Sequence, residues 1–231
     1  MKSGNFLNLQ KEYFNKNKGI YDISKIFNPP VHTRLETDRL IGLIPKNIKS
    51  VVDFGSGNGR LTIPLLKKGF KVTAVDISEG SLERLKDVCR KLNYRVDTKM
   101  NLEKVSKVHV VVGCDILHHV DLQYELNRIY NKLYFGGVIV FSEPNVLNPA
   151  WYLYIILKGI LKYEKNIIYI NYFNLMRIFQ ESGYKNIQIK GLGLFPRVLM
   201  QNEKFCKLND RLGNLPFIKL FAYRYIIVAK K

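Results

Sequence analysis

The chain has 231 residues, 47% of them hydrophobic and 24% charged, with a formal net charge of +18. That is enough apolar material for one sizeable core and fits a single elaborated domain. Cys89, Cys114 and Cys206 are odd in number and lie far apart without a Cys-x-x-Cys pair. This excludes a disulfide framework or a zinc site as organising principle and fits a reducing, cytoplasmic setting.

The charge is unevenly spread. Residues 1–50 hold 9 basic and 4 acidic groups, residues 51–145 hold 14 and 11, and residues 146–231 hold 14 and 4. A balanced middle with basic flanks suggests an anionic partner, such as a phosphorylated lipid, nucleic acid or a membrane surface, unless the lysines are simply solvated. Met1 to Gln10 lacks the apolar core of a secretory signal. The most apolar window, Ala150 to Leu161, is shorter than the roughly 20 residues a membrane span needs and carries Lys158. It can still lie on a membrane surface.

In chain order, residues 1–20 give a weakly amphipathic pattern around Phe6, Leu7, Tyr13 and Phe14. Asn28-Pro29-Pro30 superficially matches the catalytic loop of amino-methylating nucleic-acid enzymes, but Val31 stands where an aromatic should, and the segment reads as a turn. A helix is expected over Thr33 to Leu43. Val51-Val52 and Val72 to Val75 read as two strands flanking a glycine-rich turn and a helix whose inner side is Leu61, Ile63, Leu65 and Leu66. Pro64 falls in the first turns of that helix, where amide hydrogens lack partners anyway.

Leu82, Leu85, Cys89 and Leu92 mark one face of a helix over Ser78 to Asn93, with Ser78 or Ser81 as its cap. Tyr94 to Thr98 and Val108 to Val112 read as the third and fourth strands. A helix follows from the Asp121 cap to Leu133, ended by Gly136-Gly137, and Val138 to Phe141 is the fifth strand. A capped helix, Asn171 to Ser182, stops at Gly183, and Asn186 to Ile189 and Tyr223 to Ala229 complete a sheet of seven strands. The expected fold is α/β: a Rossmann-like three-layer sandwich with a mostly parallel seven-stranded sheet, the last strand antiparallel.

A glycine turn after a first strand can serve three ligands. Gly59-Arg60-Leu61 lacks the Lys and hydroxyl of a triphosphate loop. Arg60 also occupies the position that a dinucleotide fold keeps small. The spacing Asp53-x-Gly55-x-Gly57-x-Gly59 instead resembles motif I of the class I S-adenosylmethionine-dependent methyltransferases, in the branch acting on small molecules and lipids. The resemblance runs from Ser50 to Gly183. It includes Gly113 to Val120 (GCDILHHV), Leu133 to Asn145 (LYFGGVIVFSEPN) and the helix ending Phe173 to Tyr184. His109 stands where the family usually has Asp, and Phe135 where it has Pro.

The resemblance implies an enzyme that takes S-adenosyl-L-methionine and releases S-adenosyl-L-homocysteine, with no metal. It implies cofactor contacts from Asp53, Gly55, Ser56, Gly57, Gly59, Asp76, Ile77, Asn101, Leu102 and Cys114. Asp76, ending the second strand, would accept the ribose hydroxyls, and Asn101 would meet the adenine amine. His119 and His118 are the candidate bases for a hydroxyl or carbon acid. Glu143, Trp151, Tyr13 and Tyr21 are candidate acceptor contacts.

The implied layout is one methyltransferase domain over residues 1–231. Residues 1–45 form an N-terminal helical lid, 46–145 the cofactor-binding core, and 146–170 and 191–220 two acceptor-side insertions. The insertions mix aromatics with lysines, which suits a lipid-like and anionic acceptor met at a membrane surface. Two other readings stay open: RNA modification, and a non-catalytic protein that keeps the cofactor fold.

Overall fold

The computed structural model describes residue 12 and residues 23–158 and 165–231. Seven strands form one sheet in the order β3-β2-β1-β4-β5-β7-β6. They are β1 (Ser50–Phe54), β2 (Lys71–Val75), β3 (Asp97–Lys99), β4 (Val108–Cys114), β5 (Leu133–Pro144), β6 (Lys185–Leu192) and β7 (Arg224–Lys230). β1 to β5 pair in parallel, and β7 runs antiparallel between β5 and β6. The strand count and the antiparallel last strand match expectation.

Helices cover both faces: α1 (Ile23–Phe27), α2 (Val31–Gly42), α3 (Thr62–Lys67), α4 (Glu79–Lys91), α5 (Leu122–Lys132), α6 (Pro149–Lys158), α7 (Tyr172–Glu181) and α8 (Glu203–Gly213). Side chains of a strand alternate between faces, so Val51 and Val52 enter different cores. Val51, Val110, Val112 and Val140 pack with Leu40, Ile63, Leu65 and Leu85 from α2, α3 and α4. Val52, Val111, Ile139 and Ile227 pack with Leu126, Ile129, Leu175 and Phe179 from α5 and α7. Each such fully buried side chain contributes roughly 1.5–3 kcal/mol.

Helix starts follow the sequence signals. Ser78 accepts from the Ser81 amide, Asp121 from Tyr124 and Asn171 from Asn174. Strand starts differ from expectation by more than one residue at two places. The third strand begins at Asp97 rather than Tyr94, because Leu92 and Tyr94 are held by the helix C-terminal turn through Val88 and Cys89 carbonyls. β5 begins at Leu133 and not Val138. Leu133 pairs with Val108, the chain then bulges through Gly136 at φ +74°, and pairing resumes at Val138 with Val110.

β6 and α8 cross at a glycine contact that brings two backbones together. A Cβ on Gly191 would fall inside the Gly213 carbonyl, and one on Gly213 would overlap the backbone of Gly193. Gly191→Ala is therefore expected to cost about 3 kcal/mol or more through overpacking, lowering Tm by about 6–12 °C for a chain of this size. Thermal denaturation of the purified variant checks this.

Candidate functional site

The carboxyl ends of β1, β2 and β4 meet at the glycine turn, residues 55–59. Gly55 and Ser56 donate to the Val75 carbonyl at 2.8 and 3.1 Å, which fastens the turn to the end of β2. Asp76, the next residue, has each oxygen held by one amide: Gly57 N at 2.7 Å and Ser78 N at 2.8 Å. An ionised carboxylate has about four acceptor positions, so Asp76 keeps acceptor capacity on both oxygens. Gly55 takes φ +76°, and any Cβ there would collide with the Ile116 side chain. At Gly57, by contrast, an added Cβ would meet nothing within 4 Å.

Ser56 is buried, and among the described residues its Oγ has no hydrogen-bond partner. A buried hydroxyl without a partner is costly in a native structure and marks a place where a ligand or water belongs. Asn58 ties the turn to α4 by accepting from Arg84 Nε at 2.9 Å. Asp53 lies below the turn, fully buried, accepting from Thr62 Oγ1 at 2.5 Å. Burial pushes its carboxyl up to about 7; the Thr62 hydrogen bond opposes this, and the charge of Asp76 adds to it.

The segment after β4 is clamped from β5. Glu143, with no solvent exposure, accepts from the Ile116 and Leu117 amides at 2.9 Å each through Oε1, and its Oε2 lies 2.6 Å from His118 Nδ1. His119 packs beside His118 with ring centroids 4.0 Å apart and the rings tilted by 44°. Both histidines are buried, and the carboxylate contact belongs to His118.

The sequence gives little notice of what lies next to the turn. Glu36 of α2 is buried, and its two oxygens accept from Arg224 Nε at 2.8 Å, Arg60 Nη2 at 3.0 Å, Arg197 Nη1 at 3.2 Å and the Ser142 hydroxyl. Asp115, at φ +57°, accepts from Arg224 Nη2 at 2.5 Å and Arg60 Nη1 at 2.6 Å. Asp210 of α8 takes Arg197 side-on, at 2.8 and 3.1 Å. Three guanidiniums thus face three carboxylates. Burial opposes ionisation of Glu36, but Arg224, Arg60 and Arg197 outweigh it and hold its carboxyl at about 2. Burial likewise works against Asp115, and Arg224 and Arg60 keep it well below the usual carboxylate range.

The remaining expected residues fall at the rim or further off. Asn101 caps a short 3-10 turn, its Oδ1 accepting from Glu103 N at 2.9 Å and Arg128 Nη2 at 2.7 Å, while Leu102 is buried behind it. Ile77 is half-buried beside Asp76. Cys114 lies against the cluster, with Sγ 3.7 Å from Glu36 Oε1 and its thiol pushed well up by burial. Trp151 of α6 stacks on Tyr223 at 4.7 Å and donates to the Tyr223 carbonyl at 2.6 Å. Tyr13 and Tyr21 lie outside the described residues. Among the described residues, no group of three His, Cys, Asp or Glu side chains could hold a metal ion.

With this geometry in place, the family described as "Methyltransferase domain" matches residues 31–189. A Ubiquinone biosynthesis O-methyltransferase from Rickettsia akari is 28% identical over 111 residues, 46% of this chain and 44% of the relative. The protein of the same name from Rickettsia typhi is 28% identical over 161 residues, 66% of this chain and 65% of the relative. The chain therefore spans less than two thirds of the length of these curated relatives. The same fold occurs in a SAM dependent methyltransferase from Archaeoglobus fulgidus, with TM-score 0.62 and 20% identity over 86% of this chain and 94% of that one. It also occurs in magnesium protoporphyrin IX methyltransferase from Synechocystis, with TM-score 0.62 and 16% identity over 98% and 97%.

Two titrations in the ligand-free protein test this electrostatic picture. Asp53, raised from 3.8 to about 7, contributes stability that is complete below pH 3.8 and lost as pH rises to about 7. Asp53→Asn should therefore gain Tm relative to wild type between pH 5 and pH 8, read by thermal melts across that range. Glu36, lowered from 4.5 to about 2, contributes above pH 4.5 and loses that contribution as pH falls through 2. Glu36→Gln leaves three arginines undercompensated, and a loss of about 3–5 kcal/mol at pH 7 is expected in urea unfolding.

Proposed function

The chain belongs to the methyltransferase-domain family, and from that premise we propose that it binds S-adenosyl-L-methionine at the glycine turn and methylates a hydroxyl of a small, lipid-like acceptor. The observation that carries the cofactor reading is Asp76, pinned by two amides at the carboxyl edge of the sheet, with the partnerless Ser56 hydroxyl beside it. The residues fit the ligand. Asp76 would take the ribose hydroxyls, Gly55, Gly57 and Gly59 allow close backbone approach, and the Ser56 hydroxyl gains a polar partner. Asp53 and Cys114 would lie toward the amino-acid end. Ile77, Asn101 and Leu102 would line the adenine. When bound, the sulfonium supplies an activated methyl group and a neutral leaving group.

The protein then has to align the acceptor, exclude water and remove a proton. We assign that proton to His118. Glu143 fixes the imidazole through Nδ1 and stabilises the imidazolium formed when Nε2 takes the hydroxyl proton. His119 supports the ring by packing against it at a tilt. Glu143 is in this reading a positioning residue, not an acceptor contact. Trp151 sits at the acceptor side, on the wall made by α6 and Tyr223.

The hydroxyl as acceptor atom is supported by the Rickettsia relatives, which are named as O-methyltransferases. The apolar body, with an anionic group, is supported by the aromatic and basic composition of residues 146–231. We infer a cytoplasmic enzyme working at a membrane periphery, with 46–145 as cofactor core and 146–170 and 191–220 as acceptor-side insertions; of the lid expected over 1–45, α2 packs into the core through Leu40, Ile41 and Glu36, and residues 1–11 and 13–22 lie outside the described residues. RNA modification and cofactor binding without turnover are the competing readings.

An assay of methyl transfer from labelled S-adenosyl-L-methionine to prenylated phenols, to short phenols and to RNA separates the three. Transfer to the prenylated phenol is expected; transfer confined to RNA, or to nothing offered, contradicts the proposal. His118→Gln should lower kcat by about 10²–10⁴-fold, the usual worth of a general base, and flatten the acid limb of the pH profile. An unchanged rate would reassign the base.

A further inference from the structure

We propose that α6, α8 and the loops on either side of α8 form an apolar face that docks on an anionic lipid bilayer, with Phe217 as its leading wedge. The segments are welded together by side-chain amides. Asn148, just before α6, donates to the carbonyls of Leu194 at 2.9 Å and Phe221 at 2.8 Å, and Asn145 donates to those of Leu220 and Ala222. Asn209 of α8 accepts from the Leu194 and Phe195 amides at 3.0 Å each. The start of α6, the loop after β6, α8 and the segment before β7 are therefore tied to one another. Leu153, Ile156, Phe195, Leu199, Phe205 and Phe217 all stand in solvent, Ile156 at 73% and Phe217 at 84% exposure. Large apolar side chains left exposed on segments tied together in this way mark an interaction site.

Phe217 gives the face a direction. Its backbone is at φ +63°, ψ −46°, and Ile218 N donates to Pro216 O at 2.7 Å, a classic γ-turn. A bulky residue in that conformation is strained, and the ring it displays packs on almost nothing. The rim is basic. Lys204, Lys207 and Arg211 project from α8, and Lys219 follows Phe217; Glu203 pairs with Lys207 at 2.6 Å and with Arg34. Aromatics and aliphatics ringed by lysine match the headgroup boundary of an anionic bilayer. Among the described residues, no helix is long and apolar enough to cross a membrane, so the face would lie on it.

The location also suits the proposed chemistry. β6 runs in the direction of β5, so the chain leaving Leu192 and re-entering at Arg224 lies on the same sheet edge as the glycine turn. Phe195, Leu199, Met200, Phe205, Leu208 and Leu212 frame a groove of about 260 Å³ there. On the reading of a lipid-like acceptor, the bilayer delivers it to the mouth of the site.

Co-sedimentation of the full chain with vesicles of phosphatidylcholine and phosphatidylglycerol, and of phosphatidylcholine alone, tests the face. Binding to the anionic vesicles is expected, weakening with salt. The pair Phe217→Ser and Ile156→Ser should lower it by about tenfold or more, from lost apolar burial. The same variant should bind S-adenosyl-L-homocysteine as wild type does, which shows that it folds. Failure of wild type to bind, or equal binding by the variant, overturns the proposal. So does a dimer, seen by light scattering, that the two substitutions dissolve. Vesicle binding by a protein that takes no nucleoside would remove the methyltransferase reading and leave the face standing.

Discussion

The buried carboxylate of Glu36 is the constraint to which the working edge of this molecule answers. Its partners lie 24, 106, 161 and 188 residues along the chain, at the end of the glycine turn before α3, in β5, in the loop after β6 and in β7. One side chain of the N-terminal helix therefore fixes the glycine turn, the sheet and the acceptor-side insertion relative to one another. Such clusters are not stabilising by count alone, because each ion has given up its hydration. Their effect is that no single member can be lost without stranding a charge. Arg224, Arg60 and Arg197 face Glu36, Asp115 and Asp210, with Arg39 3.9 Å from Asp210, so removing Glu36 with α2 would leave buried arginines undercompensated.

The same edge carries a second, smaller clamp. Glu143 takes two backbone amides with one oxygen and His118 with the other, so the β5 carboxylate shapes the loop after β4 and aims the imidazole together. The loop in turn places Ile116 against Gly55, which explains why that position of the turn admits no side chain. Cofactor turn, candidate base and sheet end are thereby three parts of one packed unit. Opposite charges do the gross anchoring, and short hydrogen bonds do the fine placement.

How far the sequence disclosed this depends on the range of the interaction. Strand alternation, the caps at Ser78, Asp121 and Asn171, and the glycine spacing before Asp76 are local signals, and the structure carries them out. The bulge in β5 was not legible, because Gly136-Gly137 reads equally as a helix stop and as a kink within a strand. Arg60 was visible only as a residue too large for a dinucleotide site; its partners, Glu36 and Asp115, could not be read from spacing. Likewise Glu143 looked like a residue at the mouth, and only the fold shows that both its oxygens are spoken for by the neighbouring loop. Buried long-range ion pairs leave no periodic trace.

The account stands or falls on the glycine turn as a nucleoside site. Isothermal calorimetry of S-adenosyl-L-homocysteine and S-adenosyl-L-methionine against the full chain and its Asp76→Ala variant tests that most directly. One site in the wild type, weakened about tenfold or more by loss of the ribose acceptor, is the result this account predicts. Absence of heat for both nucleosides in a folded wild-type protein would contradict it.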